Sequence, residues 1–175
     1  MHIKLKIVQT VKFLVLCLII SASTSVKAEI LNGRVVGVSD GDTITVLDAD
    51  KMQYKVRLSG IDAPEKSQTF GKASKKSLSD LIYDKKVTVD WHKNDQYGRT
   101  VGKVLINGID ANQWQIKNGM AWFYRKYQNE LELDDRLGYL HAEEAARVNK
   151  VGLWSDTEIM APWDFRKQKR KINQN

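Results

Sequence analysis

Residues 31–58, LNGRVVGVSDGDTITVLDADKMQYKVRL, decide the fold. Leu31 to Val38, Thr43 to Asp48 and Tyr54 to Leu58 are short runs rich in branched residues. Asn32-Gly33, Asp40-Gly41 and Ser59-Gly60 punctuate them. Val, Ile and Thr favour extended backbone because their branched Cβ packs well on a pleated surface, and Asp-Gly between two alternating apolar runs is a hairpin signal. The stretch therefore predicts three antiparallel strands joined by tight turns.

Beyond it the period changes. From Phe70 to Tyr83, Phe70, Ala73, Leu78, Leu81 and Ile82 fall largely on one helical face, with Lys72, Lys75, Lys76 and Asp80 outside it. Strand character returns at Lys86 to Asp90 and Thr100 to Ile106. A short helix is expected from Ile109 to Lys117, stopped by Asn118-Gly119, and a longer one from Leu133 to Val148 with Gly152 just beyond. Leu133, Leu137, Leu140 and Val148 are the expected buried stripe of that last helix. Five strands with helices inserted late predict an α+β chain with a mainly β core: a five-stranded Greek-key barrel of the oligonucleotide/oligosaccharide-binding (OB) type with three helices.

The ends differ from this middle. Lys4, Lys6 and Lys12 precede an unbroken apolar run from Phe13 to Ile20, and Val26-Lys27-Ala28 offers small residues at a cleavage site. This is the pattern of a signal peptide, and the run is short for a membrane span. The expected organisation is a signal peptide over 1–28, one domain over 29–158 and a basic tail over 159–175. Cleavage after Ala28 would leave a secreted or periplasmic chain with no stable membrane association. The one cysteine, Cys17, lies in the segment to be removed, so the core must hold by packing rather than disulfides. The formal net charge of +7 falls to +3 once the four lysines of residues 1–28 are set aside, leaving 24 basic against 21 acidic side chains. Much of the excess sits in Arg166, Lys167, Lys169, Arg170 and Lys171. Solvated, frayed chain is the simplest reading of that tail, with a salt-sensitive tether to a polyanion as the alternative.

Four clusters carry chemistry: Asp40-Gly41-Asp42-Thr43, Arg57, Asp62-Ala63-Pro64-Glu65 and Tyr97-Gly98-Arg99. Asp40 and Asp42 alone are ordinary turn formers. Asp62 and Glu65, however, follow Ser59-Gly60 on a strand exit stiffened by Pro64, so two acidic loops could converge on one barrel rim. Carboxylates and carbonyls suit a hard cation such as calcium, and arginine's planar fork suits phosphate. The combination points to metal-assisted phosphoryl transfer. His92 and His141 lack a metal-ligand pair or a serine partner and are expected at the surface.

Taken in order, Asp-Gly-Asp-Thr, Arg-Leu-x-Gly-Ile-Asp-Ala-Pro-Glu and Asp-x-Tyr-Gly-Arg resemble the thermonuclease (staphylococcal nuclease-like) family. Asn118-Gly119-Met120-Ala121, Glu143-Glu144-Ala145-Ala146 and Gly152-Leu153-Trp154-Ser155 extend the likeness from about Gly33 to Ser155. The resemblance implies that Asp42 and Asp62 are direct ligands of one Ca2+ ion and that the Ala63 backbone carbonyl is another, alanine standing where the best-known members have threonine. It implies that Asp40 belongs to the outer metal shell, that Glu65 is the proposed general base, and that Arg57 and Arg99 bind the phosphate. Tyr97 would contact a nucleotide, while Gln96 replaces a neighbouring lysine of those members. Tyr124 and Tyr127 fall in the family's tyrosine-bearing stretch and are candidates for the substrate groove.

The implied function is an exported, monomeric, calcium-dependent, sugar-nonspecific endonuclease acting on DNA and RNA and leaving 3′-phosphate ends. One alternative is a catalytically silent module that binds nucleic acid or a protein. Another is a barrel that binds sugar or a protein and uses calcium structurally. Retention of all the carboxylates and both arginines weighs against the silent module.

Overall fold

The alternating strands expected from the sequence close on themselves. The computed structural model describes residues 29–174, so the expected signal segment lies outside the described residues. In chain order the strands are β1 (Glu29–Asp40), β2 (Thr43–Leu47), β3 (Gln53–Leu58), β4 (Ile61–Asp62), β5 (Lys86–Asn94), β6 (Thr100–Ile106), β7 (Ile109–Asp110) and β8 (Trp122–Phe123). The helices are α1 (Gly71–Ile82), α2 (Ala111–Lys117), α3 (Leu133–Val148) and α4 (Pro162–Ile172). The sheet runs β3-β2-β1-β5-β6-β7, and a parallel pairing of β3 with β6 closes the first five into a barrel. The long β1 serves both neighbours. Its first half pairs with β5 and its second half with β2, with bulge-like irregularities at Val35–Gly37 and Val38–Asp40 in the β2-paired half.

Inward-facing side chains alternate along each strand. Val35, Ile44, Val46, Val56, Val89 and Val104 are fully buried, and α1 and α2 cap them with Leu78, Ile82 and Ile116. Burying each such side chain contributes on the order of 1.5–3 kcal/mol, so a chain without disulfides is stabilised by this shared interior.

The three expected helices form, but two bury different faces from those expected. On α1, Ser74 is buried and Ala73 exposed. Ser74 Oγ donates to the Met120 carbonyl at 2.6 Å, and its own carbonyl accepts from Gln115 Nε2 at 3.0 Å. A polar residue faces inward there because it ties loops together. On α3 the expected stripe is corrected: Leu133, Leu137, Leu140 and Val148 are all exposed, Val148 to 75%. Tyr139, Glu143 and Ala146 are buried instead. The face is offset by one residue, roughly 100° around the helix. Two polar anchors set that rotation. Tyr139 OH donates to Asp110 at 2.9 Å, and Glu143 accepts from the Phe123 amide at 3.0 Å and from Arg125 at 2.8 Å.

The frayed tail is corrected too. Residues 162–172 form a fourth helix. Pro162 at its start suits a first helical turn, where no amide is needed. Asp164 near the N-terminus and Lys169, Arg170 and Lys171 in the last turn complement the helix dipole.

Candidate active site

The Gly41-Asp42 turn between β1 and β2 sets the first carboxylate. A Cβ at Gly41 would lie 1.7 Å from Ser74 Oγ, so glycine is required for the turn to press against α1. Gln115 Nε2 donates to the Gly41 carbonyl at 2.8 Å, and the Leu58 amide donates to the Asp42 carbonyl at 2.8 Å. The Asp42 side chain points inward. Its Oδ2 accepts from the Ala63 amide at 2.7 Å and its Oδ1 from Thr43 Oγ1 at 3.0 Å. Asp40 accepts from the Asp42 amide at 3.3 Å.

The second carboxylate leaves the end of β3. Gly60 adopts a φ of 70°, a left-handed turn that glycine enters freely, and reverses the chain into β4. There Ile61 pairs with Phe123 and Asp62 with Trp122. Asn112, fully buried on α2, donates to the Ser59 carbonyl at 2.9 Å and accepts from the Val104 amide at 3.1 Å. Asn112 and Gln115 thus pin the two carboxylate-bearing segments from one short helix.

Arg57 brings the carboxylates together. Its Nη1 lies 3.1 Å from Asp42 Oδ2 and its Nη2 3.0 Å from Asp62 Oδ1, while Nη1 also donates to the Leu58 carbonyl at 3.1 Å. The guanidinium is largely covered and Asp62 is 1% exposed. One cation does not offset the desolvation. Burial pushes the Asp42 carboxyl up from its ordinary 3.8 to about 7, against the pull of Arg57 and with added push from Asp40 and Asp62.

A second arginine arrives from the far end of the chain. Arg166 on α4 donates from Nη2 to Asp62 Oδ2 at 2.7 Å, and from Nη1 to Asp62 Oδ1 at 3.2 Å and Glu65 Oε1 at 2.8 Å. Asn112 and Gln115 carried no expected role, and Arg166 was expected only as part of a solvated tail or polyanion tether. For Arg166 the available signal was the apolar-to-basic WDFR segment after Pro162. For the two amides it was a pair of polar residues three apart on a short helix.

Arg99 occupies the other side of the site. Its Nε and Nη2 each lie 2.7 Å from Asp95 Oδ2. Asp95 Oδ1 accepts from the amides of Tyr97 and Arg99 at 2.9 and 3.0 Å, and these bonds hold its carboxyl below the ordinary range even though burial opposes them. Tyr97, at the tip of that turn, is 74% exposed, with Arg99 5.4 Å from its ring centroid. Tyr124 stacks on Trp163 at 5.3 Å with planes 7° apart, so one ring face is covered, and Tyr127 meets Tyr124 edge-on at 5.1 Å. His92 and His141 are exposed.

The candidate residues Asp40, Asp42, Arg57, Asp62, Ala63, Glu65, Tyr97, Arg99, Tyr124 and Tyr127 all line one cleft of about 800 Å³. Two groupings exist within it. Asp42, Asp62, Arg57 and Ala63 are in direct contact, with Glu65 joined through Arg166, while Arg99 and Tyr97 stand apart on the β5–β6 turn. Among the described residues, no three carboxylate, histidine or cysteine side chains converge as a metal cage. The available donors still fit a hard cation, being all oxygen. A buried carboxyl raised to about 7 marks negative charge that one arginine leaves under-compensated. Six cationic and six acidic side chains line the cleft, so a bound divalent cation would tip it toward attracting a phosphodiester.

Residues 55–156 match the family model described as staphylococcal nuclease homologue. A Haemophilus influenzae protein named as an uncharacterized endonuclease is 45% identical over 140 residues, covering 80% of this chain and 75% of that one. Protein ParB of Escherichia coli is 39% identical over 147 residues, covering 79% and 80%. A micrococcal nuclease of Shigella flexneri is 37% identical over 144 residues, covering 77% and 80%.

Proposed function

The chain belongs to the staphylococcal nuclease family and is a hydrolase of nucleic acid, and from that premise we propose an exported, monomeric, calcium-dependent endonuclease that cleaves both DNA and RNA to leave 3′-phosphate ends. The observation that carries this reading is the pair of buried carboxylates, Asp42 and Asp62, bridged by one guanidinium in the cleft that also holds Glu65 and Arg99.

Asp42, Asp62 and the Ala63 carbonyl would hold the calcium ion, with Asp40 in the outer shell. A bound ion of this kind supplies Lewis-acid polarisation of a phosphoryl oxygen. Glu65 accepts the proton of the attacking water. Arg57 and Arg99 donate to the non-bridging oxygens, where charge grows as water enters opposite the leaving 5′ oxygen. Arg99 reaches the phosphate only by giving up part of its Asp95 pairing, an exchange of one anion for another. Tyr97 contacts the nucleotide, while Tyr127 and the uncovered part of Tyr124 flank the strand. A side chain that binds phosphates alone cannot tell ribose from deoxyribose, which supports action on both nucleic acids.

Digestion of plasmid DNA and of RNA with calcium, with magnesium and with a calcium-selective chelator tests the reading. Calcium-dependent loss of both substrates is expected. Intact substrates alongside gel retardation of DNA would instead identify a silent binding module.

A further inference from the structure

We propose that Arg166 of α4 is a positioning residue of the nuclease site, holding the Glu65 and Asp62 carboxylates in their working arrangement. The proposal rests on the nuclease reading above and extends the site to a helix C-terminal to residues 55–156, the span that matches the family model.

Glu65 needs such support. It lies between β4 and α1, outside either element, and its side chain is partly exposed. Among the described residues, Arg166 supplies the hydrogen bond that its carboxylate receives, at 2.8 Å, while the same guanidinium grips both oxygens of Asp62 at 2.7 and 3.2 Å. A planar fork can fix two carboxylates relative to each other, as a single ammonium cannot. A second link ties the same loop to the C-terminal segment. Gln68 accepts from the Glu65 amide at 3.1 Å and donates through Nε2 to the Met160 carbonyl. Trp163 anchors α4 itself. It stacks on Tyr124 and meets Trp122 edge-on at 6.4 Å, and Trp122 is the β-pair partner of Asp62. Two contacts of different chemistry therefore reach the Glu65 loop from the C-terminal segment, and a third anchors α4 beside β8. The three hydrogen bonds of the guanidinium all go to these two carboxylates, Asp62 and Glu65.

The test is steady-state DNA cleavage by the protein and its Arg166→Ala and Arg166→Lys variants. Alanine should lower kcat about ten- to a hundredfold, the usual cost of removing an orienting partner from a metal-site ligand, with KM within about twofold. Added guanidinium ion should restore part of the alanine variant's kcat, and lysine should recover it incompletely. A raised KM at unchanged kcat would make Arg166 a phosphate ligand, and wild-type kinetics would make it a bystander; either overturns the proposal. A double-mutant cycle of Arg166→Ala with Glu65→Ala in urea unfolding needs no activity. Non-additivity of about two- to fivefold in the unfolding equilibrium constant is expected for this partly exposed pair, and additivity overturns the clamp. An inactive wild type with an intact coupling would refute the nuclease reading and leave the clamp standing.

Discussion

Replacing Asp42 with asparagine should stabilise the metal-free protein while removing its activity. Burial raises the Asp42 carboxyl to about 7, whereas an unfolded chain releases that proton near 3.8. A folded-state value above the unfolded one means that the folded protein binds the proton more tightly. Stability from this group is therefore lost as pH rises from about 4 to about 7 and stays low above it. The difference between 3.8 and about 7 corresponds to about 4 kcal/mol at pH 8 and to about 2 kcal/mol at pH 5. Asparagine keeps the shape and can accept the Ala63 amide bond that Asp42 Oδ2 now takes at 2.7 Å. It carries no charge to desolvate, and Arg57 retains Asp62 at 3.0 Å. Urea unfolding in chelator, with tryptophan fluorescence as the signal, should show the variant more stable at pH 8 by about 3–4 kcal/mol and less so at pH 5. Equal gains at both pH values, or a variant less stable at pH 8, would refute the claim that desolvated charge on Asp42 is what the fold tolerates for function.

Calcium binding should release a proton and tighten as pH rises through about 7, because Asp42 must ionise to coordinate; calorimetry in buffers of different ionisation heat reads the proton count. Arg99→Ala should remove most turnover with an unchanged melting temperature to within a few degrees, since its only ion pair among the described residues is with Asp95 at the cleft edge. Gln115→Ala should cost about 1–3 kcal/mol by leaving the buried Gly41 carbonyl without its side-chain donor and the Ser77 hydroxyl without its acceptor, and slow cleavage as the Asp42 turn loosens. Denaturant melts with parallel cleavage rates check both effects, and a stable, fully active Gln115→Ala would show that the turn holds without α2.

Much of this protein was legible in its residues because the relevant forces are local. Period-two runs of branched side chains mark strands wherever one face is buried. Asp-Gly and Ser-Gly turns place Asp42 at one end of a hairpin and Asp62 at a strand exit. All ten candidate site residues line the one cleft. What the sequence could not settle is how elements rotate and what they meet. On α3 an apolar stripe was a poor guide, because Tyr139 and Glu143 found buried hydrogen-bond partners in Asp110, Phe123 and Arg125 and turned the leucines outward. A run of basic residues near the end resembled solvated chain, yet Trp163 found an aromatic face and Arg166 found two carboxylates about a hundred residues away. The sequence by itself determined the five barrel strands, their turns and the inventory of charged groups, but not the short strands β4, β7 and β8, the second of which takes Ile109–Asp110 from the expected helix. Only the tertiary structure decided which charges became neighbours, because an ion pair's strength depends on distance and desolvation, and both are created by folding.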